Sequence, residues 1–176
     1  MKGRLAATLC LVLLACASPA ASTQLHNWKE YVYANDGFAV SAPTQPTVER
    51  TTAISPGGEV EVRFYRFSLT RDSGFMIATN DLNPADGRTP QQILTDGKYG
   101  AAAGAHGKLV SAMPITFGKS PGIQVEIEAP RYRIQSRQYV VGRKLYQLVV
   151  GAPTGQPLPP ERDRVFRSFR LVSSPR

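Results

Sequence analysis

The residues able to do chemistry are few in this chain, and their spacing is poor for catalysis. Histidine occurs twice, as His26 and His106, and neither has a catalytic partner close by in sequence. The one Gly-x-Ser-x-Gly run, Gly118-Lys119-Ser120-Pro121-Gly122, falls in a turn between two strand-like segments and so does not supply the sharp strand-to-helix turn on which a serine nucleophile is raised. Glu126 and Glu128 share one face of an alternating segment and could act as an acid-base pair. Alternating strand carboxylates that simply face water are far commoner. The run Asn80-Asp81-Leu82-Asn83-Pro84-Ala85-Asp86-Gly87 is the best metal candidate, because a calcium loop needs oxygen ligands at alternate positions and glycine at the sixth. Counted from Asp81, the sixth position is Asp86, glycine comes one residue late, and no closing glutamate follows. The remaining constellation is cationic. Arg131, Arg133 and Arg137 fall on one face of an extended segment, with neighbours two residues on at roughly 7 Å, and guanidinium groups so placed can take carboxylates or phosphates.

The charge distribution marks the same region. The whole chain carries 21 Lys and Arg against 13 Asp and Glu. Residues 23–130 hold 9 basic against 11 acidic side chains, whereas residues 131–176 hold 10 against 2. The positive excess therefore sits in the last third. A one-sided basic excess can form an anion-binding surface, and a solvated basic face is its commoner origin. The sequence pI near 9.8 favours phosphate contacts in general. Export, argued next, speaks against a specific nucleic-acid partner.

The N-terminus reads as an export signal, with Lys2 and Arg4 before an apolar run, Leu5 to Ala15, that is too short to span a bilayer. Small residues around Ser18-Pro19-Ala20-Ala21-Ser22 suit an ordinary signal peptidase, which makes residues 1–22 the signal. Leu13-Leu14-Ala15-Cys16 instead resembles a lipobox, which would make residues 1–15 the signal and Cys16 a lipidated anchor. Both readings stay open. Cys10 lies within the apolar run, so the processed chain has no pair of cysteines for a disulfide, and stability must come from a core. Residues 23–27 read as a short polar leader and residues 28–176 as one domain, long enough for a sizeable core.

The elements that would position these residues are organised around Gln138 to Val150. Two β-rich segments flank Gly142-Arg143, and glycine at the first place of a two-residue loop suits a type II′ hairpin. Pairing outward sets Val141 against Lys144, Val140 against Leu145, Tyr139 against Tyr146 and Arg137 against Leu148, which leaves both faces mixed, as in a sheet covered on each side. Trp28 to Ala34 and Phe38 to Ser41 read as strands about an Asn35-Asp36-Gly37 turn, with Trp28, Tyr31 and Tyr33 in the core. Val48 to Ile54 resumes an extended reading. Glu59 to Leu69 changes its apolar phase midway, which predicts a bulge or a strand covered on both faces. Phe75 to Thr79 reads as a central strand.

Thr89-Pro90-Gln91-Gln92 predicts a helix start with a capping box, and Gly97, Gly100, Ala101 and Gly104 form a small-residue stripe suited to close helix-on-sheet packing. His106-Gly107 should end that helix. Lys108 to Ser111 and Pro114 to Phe117 read as strand, with Gly118 to Gly122 as a turn. Val125, Ile127 and Ala129 then alternate with polar residues as a half-buried strand. A last helix enters at Pro159-Pro160 and buries Val165, Phe166 and Phe169 before a short final strand or cap.

Tyr33, Gly37-Phe38-Ala39-Val40 with Pro43, Gly122 with its strand, Val140-Val141-Gly142-Arg143-Lys144-Leu145-Tyr146-Gln147-Leu148 and Ser168-Phe169 together resemble the extracytoplasmic α/β proteins related to the photosystem II extrinsic protein PsbP. The resemblance spans most of the processed chain and also looks like bacterial secreted proteins of the same plan. It implies an α+β fold, a central antiparallel sheet between helices (an α/β/α sandwich) in a single domain, and a non-enzymatic role in binding or assembly. No family functional motif has a counterpart here, so the resemblance carries over no site residue.

The resulting expectation is a periplasmic or secreted, non-catalytic binding or assembly module without a cofactor or metal, whose partner is a protein or an anionic ligand held by Arg131, Arg133 and Arg137. Membrane attachment would come only through lipid on Cys16. The alternative is an exported hydrolase with an unrecognised site, in which His106 would be the group to test.

Overall fold

The computed structural model describes residues 27–70 and 72–173. The export signal, Cys16 and His26 lie outside the described residues. The chain forms β1 (Lys29–Tyr33), a 3-10 turn (Ala34–Asp36), β2 (Phe38–Ala42), β3 (Thr47–Ser55), β4 (Gly58–Ser68), β5 (Gly74–Asp81), α1 (Pro90–Gly104), β6 (Lys108–Phe117), β7 (Ser120–Glu128), β8 (Tyr132–Val141), β9 (Lys144–Pro153), α2 (Arg162–Ser168) and β10 (Arg170–Leu171). Among the described residues, no helix is long and apolar enough to cross a membrane.

Two antiparallel sheets result. The large one has the order β3-β4-β5-β9-β8-β7-β6, and the small one the order β1-β2-β10. The β8–β9 hairpin lies inside the large sheet with the four pairings expected of it. Gly142 takes φ 56 and no positive φ occurs at Arg143, as a type II′ turn requires at its first central place alone.

The large sheet is packed on both faces by different means. On one face α2 and the small sheet bury Phe38, Val40, Tyr65, Phe67, Phe75, Ile77, Tyr139, Tyr146, Leu148, Val150, Val165, Phe166 and Phe169 in one aromatic-rich cluster, with Trp28, Tyr31 and Tyr33 partly buried against it. On the other face α1 brings Ile93 and Leu94 onto Val140 and Leu145, and Ala102 onto Val125 and Ile127. One flanking layer is therefore helical and the other is shared between a helix and three short strands.

The apolar phase change in β4 comes from double coverage. Its pairings to β3 and β5 run without a register shift, so no bulge is present there. Tyr65 and Phe67 enter the aromatic cluster, while Val62 and Phe64 point to the α1 side. The one irregularity falls between Leu109 and Ser111, on edge strand β6, where an extra residue disturbs only one neighbour. The reversal predicted over Gly118 to Gly122 is shorter than that. Gly118 (φ 58) and Lys119 make the turn, and β7 already begins at Ser120. Pro121 is tolerated because it pairs only with Thr116, while the pairing of β7 to β8 starts at Gly122.

Helix α1 starts as its sequence demands, with the Thr89 side chain accepting from the Gln92 N–H and the Gln92 side chain accepting from the Thr89 N–H. It closes with paired bonds from the Gly107 N–H to the Ala102 carbonyl and from the His106 N–H to the Ala103 carbonyl, each 2.9 Å, a Schellman arrangement. His106 occupies the left-handed position (φ 49). Glycine falls one residue later because a Cβ at 107 would stand 2.7 Å from Ile127 Cγ2 and 2.8 Å from the Glu128 carbonyl oxygen.

Candidate functional site

The two faces of the large sheet are covered to different extents, and that difference creates the site. Helix α1 packs on β6, β7 and β8, so on its side the β3–β4–β5 part of the sheet and the neighbouring stretch of β9 lack a helix. Residues that register places there are Val60, Val62, Phe64 and Arg66 from β4, Met76, Ala78 and Asn80 from β5, and Gln147, Val149 and Gly151 from β9. Two depressions lie along this surface. A cleft of about 390 Å³ runs beneath α1, between Gly97, Gly100 and Ile93 on the helix and Val62, Phe64 and Leu145 on the sheet. A wider groove of about 580 Å³ lies at the other end, with Met76, Val149, Gly74 and Gly151 as floor and Arg66, Tyr132 and Arg131 among its walls.

The small-residue stripe serves these surfaces unequally. A Cβ at Gly97 would run into Gln138 Oε1, and the fully buried Gln138 donates from Nε2 to the Gly97 carbonyl at 3.2 Å. That contact lets helix and sheet approach closely. At Gly100 and Gly104 an added Cβ would meet nothing within 4 Å, so close packing explains only the first glycine of the stripe.

The carboxylates of the candidate metal loop are committed elsewhere. Asp86 takes a bidentate pair from Arg88, 2.8 Å to Nε and 2.5 Å to Nη2, and Arg88 Nη1 reaches Asp96 at 2.8 Å. This clamp ties the β5–α1 loop to the second turn of α1. The Arg88 hydrogen bonds hold the Asp86 carboxyl below its usual range. Asp81 meets Lys144 Nζ at 2.7 Å and Arg63 Nη2 at 3.2 Å. Burial pushes its pKa up, and the hydrogen bonds and charges of Lys144 and Arg63 outweigh it and hold the group low. Among the described residues no three His, Cys, Asp or Glu side chains converge as metal ligands.

A second charged centre joins the two sheets. Asp36, in the turn between β1 and β2, is buried and contacts both the Arg63 guanidinium and the Tyr65 hydroxyl, while the Tyr146 hydroxyl donates to the Asp36 carbonyl at 2.8 Å. Burial, with the carboxylates nearby, pushes Tyr146 up to about 12 and Tyr65 higher still. Each polar group here faces a partner on the opposing sheet, and the arrangement fastens one sheet to the other. From sequence, Asp36 is only part of a turn and Arg63 only a polar strand residue; nothing local connects positions 27 apart.

The three arginines singled out from sequence occupy three environments. Arg137 is half-buried, donating from Nε to Gln124 Oε1 at 2.8 Å with its guanidinium 4.4 Å from the Phe166 ring centre. Arg133 is half exposed and lies 3.7 Å from a Glu126 carboxylate oxygen. Arg131 precedes β8, is exposed, and lines the wide groove on the opposite side of the sheet from Phe166; its side chain makes no ion pair or hydrogen bond among the described residues. The residue that sequence reasoning misses is Arg66, which lines the same groove and is held by Glu49 at 3.2 Å. Its signal is that of a basic residue on the α1 face of β4, but no local pattern joins positions 66 and 131.

No family model matches the chain, and no curated protein sequence matches it either. Among solved structures, cyanobacterial PsbP from Synechocystis sp. PCC 6803, determined in solution, superposes with a TM-score of 0.55 at 12% sequence identity, over 89% of this chain and 99% of that one. The fold is that of PsbP. Near-complete coverage of both chains means that the antiparallel sheet, both helices and the small sheet belong to one PsbP-like α+β unit. At 12% identity the likeness is one of fold. His106, the residue on which a hydrolase would have to draw, is exposed in the closing turn of α1.

Proposed function

We propose that this chain is an extracytoplasmic, non-catalytic module that binds or helps assemble an anionic partner across the uncovered part of its large sheet. The observation that carries the reading is the unequal coverage of that sheet: one face is filled by an aromatic core, while the other leaves Val60, Val62, Phe64, Met76 and Val149 partly exposed, with Arg131 at the Met76 and Val149 end. A depression in which apolar surface meets a few placed polar groups is the usual form of a binding site. The PsbP fold and the N-terminal export pattern support placement outside the cytoplasm. Asp36, Asp81 and Asp86 are engaged in internal pairs, and that supports a binding role over hydrolysis.

Native mass spectrometry and affinity capture with the intact exported protein test the reading. Arg131→Ser is expected to weaken capture of an anionic partner by about tenfold or more, the scale of losing one charge-assisted hydrogen-bonding group, while leaving the melting temperature unchanged. Arg137→Ser is expected to lower the melting temperature instead, because that guanidinium packs on Phe166. Arg133→Ser should have a smaller effect on capture than Arg131→Ser, since Glu126 shares its charge. A hydrolytic activity abolished by His106→Ala, with the fold intact by circular dichroism, would overturn the reading. The mass of the processed N-terminus distinguishes a lipidated Cys16 from cleavage near Ser22.

A further inference from the structure

We propose that the groove over Gly74 and Gly151 is a site for a small monocarboxylate with a flat, apolar ring. This deepens the binding-module reading and rests on it. Gly74 and Gly151 face each other directly across the β5–β9 pairing, so the sheet presents bare backbone between Met76 and Val149 on one side and Pro153 on the other. The two glycines have different origins. A Cβ on Gly74 would stand 2.6 Å from the Phe67 carbonyl oxygen, so the fold itself demands that glycine. A Cβ on Gly151 would meet only the Arg133 carbonyl oxygen at 3.7 Å and Ile134 Cγ1 at 3.8 Å, which is ordinary contact, and its φ is not in the left-handed region. Nothing in the backbone requires glycine at 151. Its effect is to keep the floor of the groove low and flat.

The walls define what would lie on that floor. The groove measures about 580 Å³, within the range of small-ligand sites. Met76 offers a thioether and Tyr132 a phenol ring that is 49% exposed, and both suit contact with a ring. Of the two guanidinium groups, Arg66 is already shared with Glu49, which leaves Arg131 as the one without a counterion among the described residues. One planar, bidentate donor matches one carboxylate. Asp72 also lines the groove, and with Glu49 close by it disfavours a second negative charge. Those features select a singly charged carboxylate over a phosphate dianion.

Isothermal titration of the full chain with phenylacetate, benzyl alcohol and inorganic phosphate tests this. Phenylacetate should bind, and neither benzyl alcohol nor phosphate should. Gly151→Leu, which fills the floor without a backbone clash, and Arg131→Gln should each weaken phenylacetate by about tenfold or more, with melting temperatures close to that of the parent. Phosphate binding as tightly as phenylacetate, indifference to Gly151→Leu, or no phenylacetate binding at all would each overturn the proposal. Failure of the ligand site with partner capture still dependent on Arg131 would leave the wider reading standing. Phenylacetate binding with capture indifferent to Arg131→Gln would retain the groove and remove the anionic-partner reading.

Discussion

On the α2 side of the large sheet, aromatic rings are packed against one another with little room left: Phe38 is fully buried, 5.8 Å from Phe169 and 5.1 Å edge-on to Tyr65, and Phe67 stacks on Phe75 at 4.3 Å. On the α1 side, Phe64 from the same strand as Tyr65 and Phe67 remains partly exposed at the edge of a cleft. Adjacent residues of β4 thus meet opposite fates, and only what is stacked above them differs. The filled face secures the fold, and the open face is available to a partner.

Truncating one aromatic residue on each face should expose this difference most strongly. Phe38→Ala removes a ring that touches Tyr33, Tyr65, Tyr146 and Phe169, and it should destabilise by about 3–5 kcal/mol, as fully buried aromatic truncations do. Phe64→Ala should cost about 1 kcal/mol or less, because little buried area is lost where water already reaches the ring. Urea unfolding with both variants checks the pair. Equal losses would mean that the open face is as much a part of the core as the filled one.

Much of the framework is legible in the sequence. Period-two alternation identifies Val125 and Ile127, the Gly142-Arg143 loop sets the hairpin register, and the Thr89-to-Gln92 capping box locates the start of α1. Those signals work because their causes are local. The open groove is not legible, since its floor and walls come from positions 66, 76, 131, 132 and 151 and its existence depends on where α1 stops covering the sheet. The row of Arg131, Arg133 and Arg137 follows from strand periodicity, but the geometry separates its members. Arg131 precedes the strand and so escapes its alternation, and Phe166 and Gln124 hold Arg137 for reasons that lie on other elements.

Titration should separate the two regions next. On the filled face burial pushes Tyr33 and Tyr146 up to about 12 from 10.0. Above about pH 10 the unfolded chain loses those protons first, so stability is complete below that pH and falls as pH rises toward 12. The loop that leads to α1 responds at the other end of the scale. Asp86 is held below 3.8, so the unfolded chain takes up a proton there first, and the stability it contributes above about pH 4 is lost as pH falls through its lowered value. Tyr33→Phe should flatten the alkaline limb and leave the acid limb alone, and Asp86→Asn should do the reverse. Thermal melts across pH 2 to 12 read both limbs, and a variant that moved both would break the division.

The smallest expected effect lies within α1 itself. Gly97 and Gly100 are one turn apart on the helix that bounds the open cleft, and an isolated helix would gain about 1 kcal/mol from alanine at either. The sheet changes that at Gly97 alone. Its new methyl group would meet the Gln138 amide, a side chain that is fully buried and bonded to the Gly97 carbonyl, so the gain should be cancelled or reversed. At Gly100 the added Cβ finds open space, and Gly100→Ala should raise the urea midpoint by the full helical increment. Because that methyl group would project at the cleft lined by Phe64 and Leu145, a stabilised Gly100→Ala protein that still captures its partner would confine the functional surface to the Arg131 end, whereas lost capture would extend it beneath the helix.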